Sequence, residues 1–108
     1  MKARIILTRA DASLLEAGAE YTREVLVPAA REHEGYRGYV ALFDPARGLG
    51  MAVTLWEDER TEMLSDDAIR ESREQAARDF GVEQWVEKYD VVIADFVEPG
   101  SNSGVTPP

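Results

Sequence analysis

Cysteine is absent from the 108 residues. Disulfides, thiolate nucleophiles and cysteine-ligated zinc are therefore excluded, and the composition fits a reducing compartment. Histidine occurs once, as His33, so one side chain alone has an unperturbed pKa near neutrality and no imidazole cluster can hold zinc. Positive charge is scarce: 12 Lys plus Arg stand against 21 Asp plus Glu, a formal charge of −9. With no basic cluster, such a chain repels nucleic-acid phosphates and anionic lipid. Long apolar runs are also missing. No segment approaches the ~20 apolar residues of a membrane span, and the opening MKARIILTRADAS falls short of the roughly 7 to 15 apolar residues of a signal peptide. The expectation is a cytoplasmic chain with neither nucleic-acid nor membrane partners.

Catalytic signatures are thin as well. Gly48 and Gly50 sit in a hairpin without the third glycine and helix of a dinucleotide fingerprint. The serines stand in no nucleophile-elbow context. Asp58-Glu59 and Asp66-Asp67 read as helix-start charges, so no metal site is expected.

What is present suffices for one domain, with 44% hydrophobic and 31% charged residues. ARIILT, residues 3 to 8, is short and β-branched and reads as a strand, with Asp11 as the cap of a following helix. That helix has apolar positions Leu14, Gly18, Tyr21, Val25 and Ala29, ends at Gly35 and should kink at Pro28. Two strands flank the turn DPARG in GYRGYVALFDPARGLGMAVTLW. EDERTEML reads as a turn or two of helix, followed by a second helix over about Asp66 to Asp79, capped by Ser65 and closed by Gly81. VEQWVEKY reads as another short helical turn, and YDVVIADF, residues 89 to 96, as the last strand. The Pro-, Gly- and Ser-containing tail, residues 98 to 108, is expected to be mobile. The order β-α-β-β-α-β over residues 1 to 97 is that of the α+β ferredoxin-like split βαβ, a four-stranded antiparallel sheet with two helices on one face.

The hairpin hardly alternates apolar with polar residues. With Phe43 set opposite Leu49, Tyr36, Gly38, Val40, Leu42, Gly50, Ala52, Thr54 and Trp56 face the helices, while Arg37, Tyr39, Ala41, Phe43, Leu49, Met51, Val53 and Leu55 face away. Helices hide one apolar face. The simplest cover for the other is the same face of a second copy, so a homodimer is expected.

The stretch GYRGYVALFDPARGLGMAVTLWEDE, with His33-Glu34-Gly35-Tyr36-Arg37-Gly38, Asp44, Gly48, Trp56-Glu57 and Tyr89-Asp90-Val91, resembles the pattern of antibiotic biosynthesis monooxygenase-like domains. The resemblance spans about residues 1 to 97 and implies a dimeric α/β barrel of two ferredoxin-like protomers, with a pocket between each sheet and its own helices. The family resembled includes quinone-forming monooxygenases and haem-degrading enzymes. The haem-degrading pattern asks for an Asn on the first strand and a His on the second helix, both missing here, so haem is not expected. In monooxygenases that use no cofactor the substrate anion itself reduces oxygen, and the protein supplies desolvation, a proton acceptor and help for the anion.

The residues that fit such a site are few. Trp56 and Tyr36 would edge a space beside the small side chains of Gly38, Ala52 and Thr54. His33 is the available base. Arg73 would turn a cation toward an anionic ligand. Each also has a structural reading: core aromatics, close helix approach, a charge at a helix end, a surface ion pair. Two functions stand at this point, a cofactor-independent monooxygenase acting on an aromatic or polycyclic quinol-like molecule, and a non-catalytic small-molecule-binding or accessory domain.

Overall fold

The computed structural model describes residues 1–97; the expected mobile tail lies outside the described residues. Four strands, β1 (Lys2–Arg9), β2 (Tyr36–Asp44), β3 (Leu49–Trp56) and β4 (Glu83–Asp90), form one antiparallel sheet in the order β2-β3-β1-β4. This is the ferredoxin-like arrangement. The last strand lies earlier than the sequence suggested. VEQWVEKY pairs with β1 instead of turning as helix, with Leu7 opposite Trp85 and Ala3 opposite Tyr89. Pairing with a central strand overrides the weak local propensity of a Glu- and Lys-rich segment.

The first helical run starts where Asp11 accepts a hydrogen bond from the Ser13 N–H. A 3-10 turn (Ala12–Leu14), α1 (Leu15–Tyr21), a π-helical turn (Thr22–Leu26) and α2 (Val27–Arg31) follow without a break. The π turn is the chain's answer to Pro28. Proline offers no N–H to the carbonyl of Glu24, and one extra residue per turn absorbs the mismatch while Val27 N–H donates to Thr22. It also shifts the buried stripe. Gly18, Thr22, Val27 and Ala30 turn inward at steps of four, five and three, whereas Leu14, Tyr21 and Val25 of the expected stripe are exposed.

The second helix is longer than its expected Asp66–Asp79 core. A single α3 runs over Glu59–Phe80, capped by Asp58 in a reciprocal box with Thr61 and ended by Gly81 in the left-handed conformation. Ser65 is thus an interior residue, not a cap. Its hydroxyl is free to point at the sheet.

A bulge at Arg37 corrects the hairpin register. Tyr36 does lie opposite Trp56, but beyond the bulge Tyr39 pairs with Thr54, Ala41 with Ala52 and Phe43 with Gly50. One extra residue in β2 inverts its alternation relative to β3. Tyr39, Ala41 and Phe43 therefore share the helix side with Thr54 and Trp56. Gly38, Val40 and Leu42 join Met51, Val53 and Leu55 on the side without helices.

Candidate functional site

The N-terminal half of α3 turns an unusual stripe toward the sheet: Thr61, Glu62, Ser65 and Asp66 are buried, while Met63 and Leu64 face outward. Arg4, from β1, one of the two central strands, meets that stripe with its side chain only 1% exposed. Its Nη1 donates to the Glu62 carboxylate at 3.0 Å, to the Glu62 carbonyl at 3.1 Å and to Ser65 Oγ at 2.9 Å. The guanidinium also lies 5.2 Å from the centre of the Trp56 ring, a cation–π arrangement in a desolvated place. Arg4 Nε has no hydrogen-bond partner, and the nearest carboxylate oxygen, on Asp66, stands at 4.0 Å.

Lys88 sits opposite Arg4 in the sheet register. It reaches Asp66 at 3.1 Å and the second Glu62 oxygen at 3.2 Å. Asp66 further accepts from Arg73 at 2.8 Å and from Arg70 at 3.1 Å. Burial pushes the Asp66 carboxyl up, but hydrogen bonds from Arg73, Arg70 and Lys88 outweigh it and hold the group well below the usual carboxylate range. Two carboxylates thus neutralise part of a four-cation cluster. Removing Arg4, Glu62 or Asp66, the buried members, strands a buried partner, at a cost of about 3–5 kcal/mol.

Beside this cluster the structure gathers His33, Tyr36 and Trp56. The ring of Trp56 is fully buried, with Tyr36 at 5.9 Å and His33 at 6.5 Å, both edge-on. Gly35 makes this possible. It adopts φ 84°, and a Cβ there would lie 2.4 Å from Thr61, so only glycine lets the α2–β2 loop press on α3. The Glu57 N–H donates to Gly35 O at 2.8 Å and Arg60 holds Glu34 at 2.8 Å, fixing the loop that carries His33.

Of the other residues expected at the site, Thr54 and Ala52 stand on the same face as Trp56, and Thr54 accepts the indole N–H at 2.9 Å. Gly38 does not join them. The bulge turns it to the opposite face, against Leu55, and its place among small residues is taken by Ala41, the partner of Ala52. Ala41 is exposed and Ala52 half-buried, so the helices leave this part of the floor uncovered. Arg73 is inward-facing, its side chain 13% exposed, whereas its neighbour Arg70 is half in water. Arg4, Glu62, Asp66 and Lys88 escape a reading of the sequence. Their signal was the Arg-x-Ile-x-Thr alternation in β1 and the 62-65-66 spacing on a helix with few apolar positions. Among the described residues no group of three or more His, Cys, Asp or Glu side chains could hold a metal ion.

No protein-family model matches the chain, and no curated protein matches it by sequence. Solved structures match it closely in shape. A protein of Deinococcus radiodurans, provisionally assigned as an antibiotic biosynthesis monooxygenase, superposes with a TM-score of 0.70 at 14% identity, covering 90% of this chain and 98% of that one. A monooxygenase of Streptomyces coelicolor, solved in complex with the ligand nanaomycin D, gives 0.64 at 13% identity over 88% and 92% of the two chains. A dimeric ferredoxin-like protein from an uncultured marine organism gives 0.57 at 13% identity over 90% and 98%. At these identities the likeness is one of fold, and the chain shares the ferredoxin-like fold on which monooxygenases of this kind are built.

Proposed function

We propose that the protein is an antibiotic biosynthesis monooxygenase-like homodimer that oxidises an aromatic or polycyclic quinol-like molecule with dioxygen and no cofactor, in the space between its sheet and helices. The observation that carries this reading is the convergence of the single histidine, His33, with Tyr36 and Trp56, on the same sheet face as the partly uncovered Ala41–Ala52 pair. The fold it shares with a monooxygenase solved with nanaomycin D supports it.

In the reaction class proposed, a benzylic CH₂ becomes a carbonyl. The carbon loses a proton, one oxygen atom of O₂ stays on carbon, and the other leaves as water with the two hydrogens. In this reading His33 accepts the first proton, and the buried guanidinium of Arg4, 5.2 Å from the centre of the Trp56 ring, favours the resulting enolate.

Burial supports the homodimer. Ala3, Leu55 and Trp56 are the only buried apolar side chains among the described residues, whereas Val40 and Leu42 on the helix-free face are 44% and 49% exposed. At ~1.5–3 kcal/mol for each large side chain buried, a second sheet supplies what the protomer lacks.

Oxygen uptake with anthrone as the probe tests the activity. Consumption of one O₂ per anthrone above the protein-free rate, reduced at least tenfold in His33→Gln, is expected. The second reading, a binding or accessory domain, draws on the full burial of Trp56 and its satisfied indole N–H. Anthrone binding without oxygen uptake would favour it and remove the monooxygenase reading for this substrate class.

A further inference from the structure

The network around Asp66 leaves one of its cations half employed. Arg73 spends Nη1 on Asp66, and among the described residues its Nε and Nη2 make no hydrogen bond. Neither of these atoms is among the buried unpartnered ones. Arg73 also lines an open groove of about 410 Å³ between the C-terminal half of α3 and β4. Ala77, Val82 and Val86 give the cleft apolar walls, and Gln84 stands on its β4 side. Arg78 brings a second cation and Glu74 one carboxylate, so the lining carries a net charge of +1 in a chain whose formal charge is −9. Gly81, at the turn, leaves open space where a side chain would stand.

We infer that this cleft binds a small organic anion, an aromatic carboxylate or a phenolate-type acid, through Arg73. Asp66 holds Nη1 of the guanidinium at 2.8 Å, which leaves Nε and Nη2 as the fork that pairs with a carboxylate. Arg78 adds long-range attraction at the mouth. Val82 and Val86 take the apolar body. The cleft adjoins a second one, of about 420 Å³, that shares Gly81 and Val82 and is lined by Leu14 and Phe80, so a longer apolar body finds continuous surface around the corner. The inference concerns binding and not turnover, and it holds under either reading of the function.

The probe is 2-naphthoate, with 2-naphthalenemethanol as its uncharged counterpart, titrated into the ¹⁵N-labelled full chain. Saturable shifts centred on the amides of Ala77, Gly81, Val82 and Val86 are expected, with the alcohol at least tenfold weaker. Arg73→Gln should weaken naphthoate at least tenfold. Because that change also disturbs Asp66, Ala77→Trp provides a second arm: it fills the cleft, leaves the Arg73–Asp66 pair in place and should abolish binding. Arg47→Gln, which removes an exposed cation at the β2–β3 turn, away from both the cleft and the Asp66 network, should leave affinity unchanged. Equal affinity for acid and alcohol, shifts centred on Tyr36 and Trp56, or undiminished binding in Ala77→Trp would each overturn the assignment. So would an absence of saturable shifts.

Discussion

Asp66 shows how one residue can organise a site that its sequence context conceals. Next to Asp67 and after Ser65 it looks like a charge at the start of a helix, a role that favours acids for electrostatic reasons. The helix begins seven residues earlier, at Glu59, and Asp66 instead lies under Lys88, Arg70 and Arg73. Its depressed pKa has a definite consequence for stability. As the pH falls, the unfolded chain takes a proton at this position before the folded one does, so its contribution is complete above the ordinary carboxylate range and is lost as the pH drops through and below that range. Urea unfolding between pH 6 and pH 2.5 should therefore show an acid limb in the native protein that is flatter in Asp66→Asn, with the variant already less stable at pH 6. Parallel pH profiles would contradict the ion network as drawn. The pairing of Tyr36 with Trp56 was legible, because the aromatic at the end of a strand and the Tyr after Gly35 are local features, whereas the approach of His33 to Trp56 was not. The buried cations were not: Arg4 and Lys88 become neighbours only when β1 and β4 pair across 84 positions.

At the scale of elements, two departures from the sequence pattern trace to single residues that alter the phase of a repeat. Arg37 adds one residue to β2 and inverts the faces of Tyr39 and Phe43. Pro28 is met by a π turn that moves the inward stripe of the first helix. A period of 2 or 3.6 read from the chain carries no sign of such insertions, whereas the order of elements survives them, and survives the shifted bounds of α3 and β4, because it depends only on the succession of strand and helix. Gly35 is the joint that lets these elements meet. Gly35→Ala must strain a positive φ and push Thr61 from α3, and a loss of about 2–4 kcal/mol is expected, the sum of the backbone and overpacking costs. Chemical denaturation measures it. In the same variant the edge-on packing of His33 and Tyr36 on Trp56 should loosen, seen as a red shift of the buried indole's fluorescence in a Trp85→Phe background.

The whole molecule is a sheet with polar packing on one side and little packing on the other. Helix α3 is held to β1 and β4 mainly by ions and hydroxyls, so it contributes specificity of position more than apolar burial. On the far side Leu42, Val40, Trp85 and Tyr89 stand between 37% and 51% exposed, beside the half-buried Met51 and Val53. A helical run whose apolar residues also face outward does not compensate. No helix among the described residues is long and apolar enough to cross a membrane. In the proposed homodimer the same face of a second copy covers this side of the sheet. Both functional readings stand on it, since the sheet that floors the site is the one that would carry the interface on its reverse. Multi-angle light scattering at tens of micromolar decides the matter. The account predicts a species of about twice 12.0 kDa, which Val53→Lys converts to a monomer or an insoluble chain by placing a charge in the interface. A native protein that remains folded at 12.0 kDa across that range would contradict it.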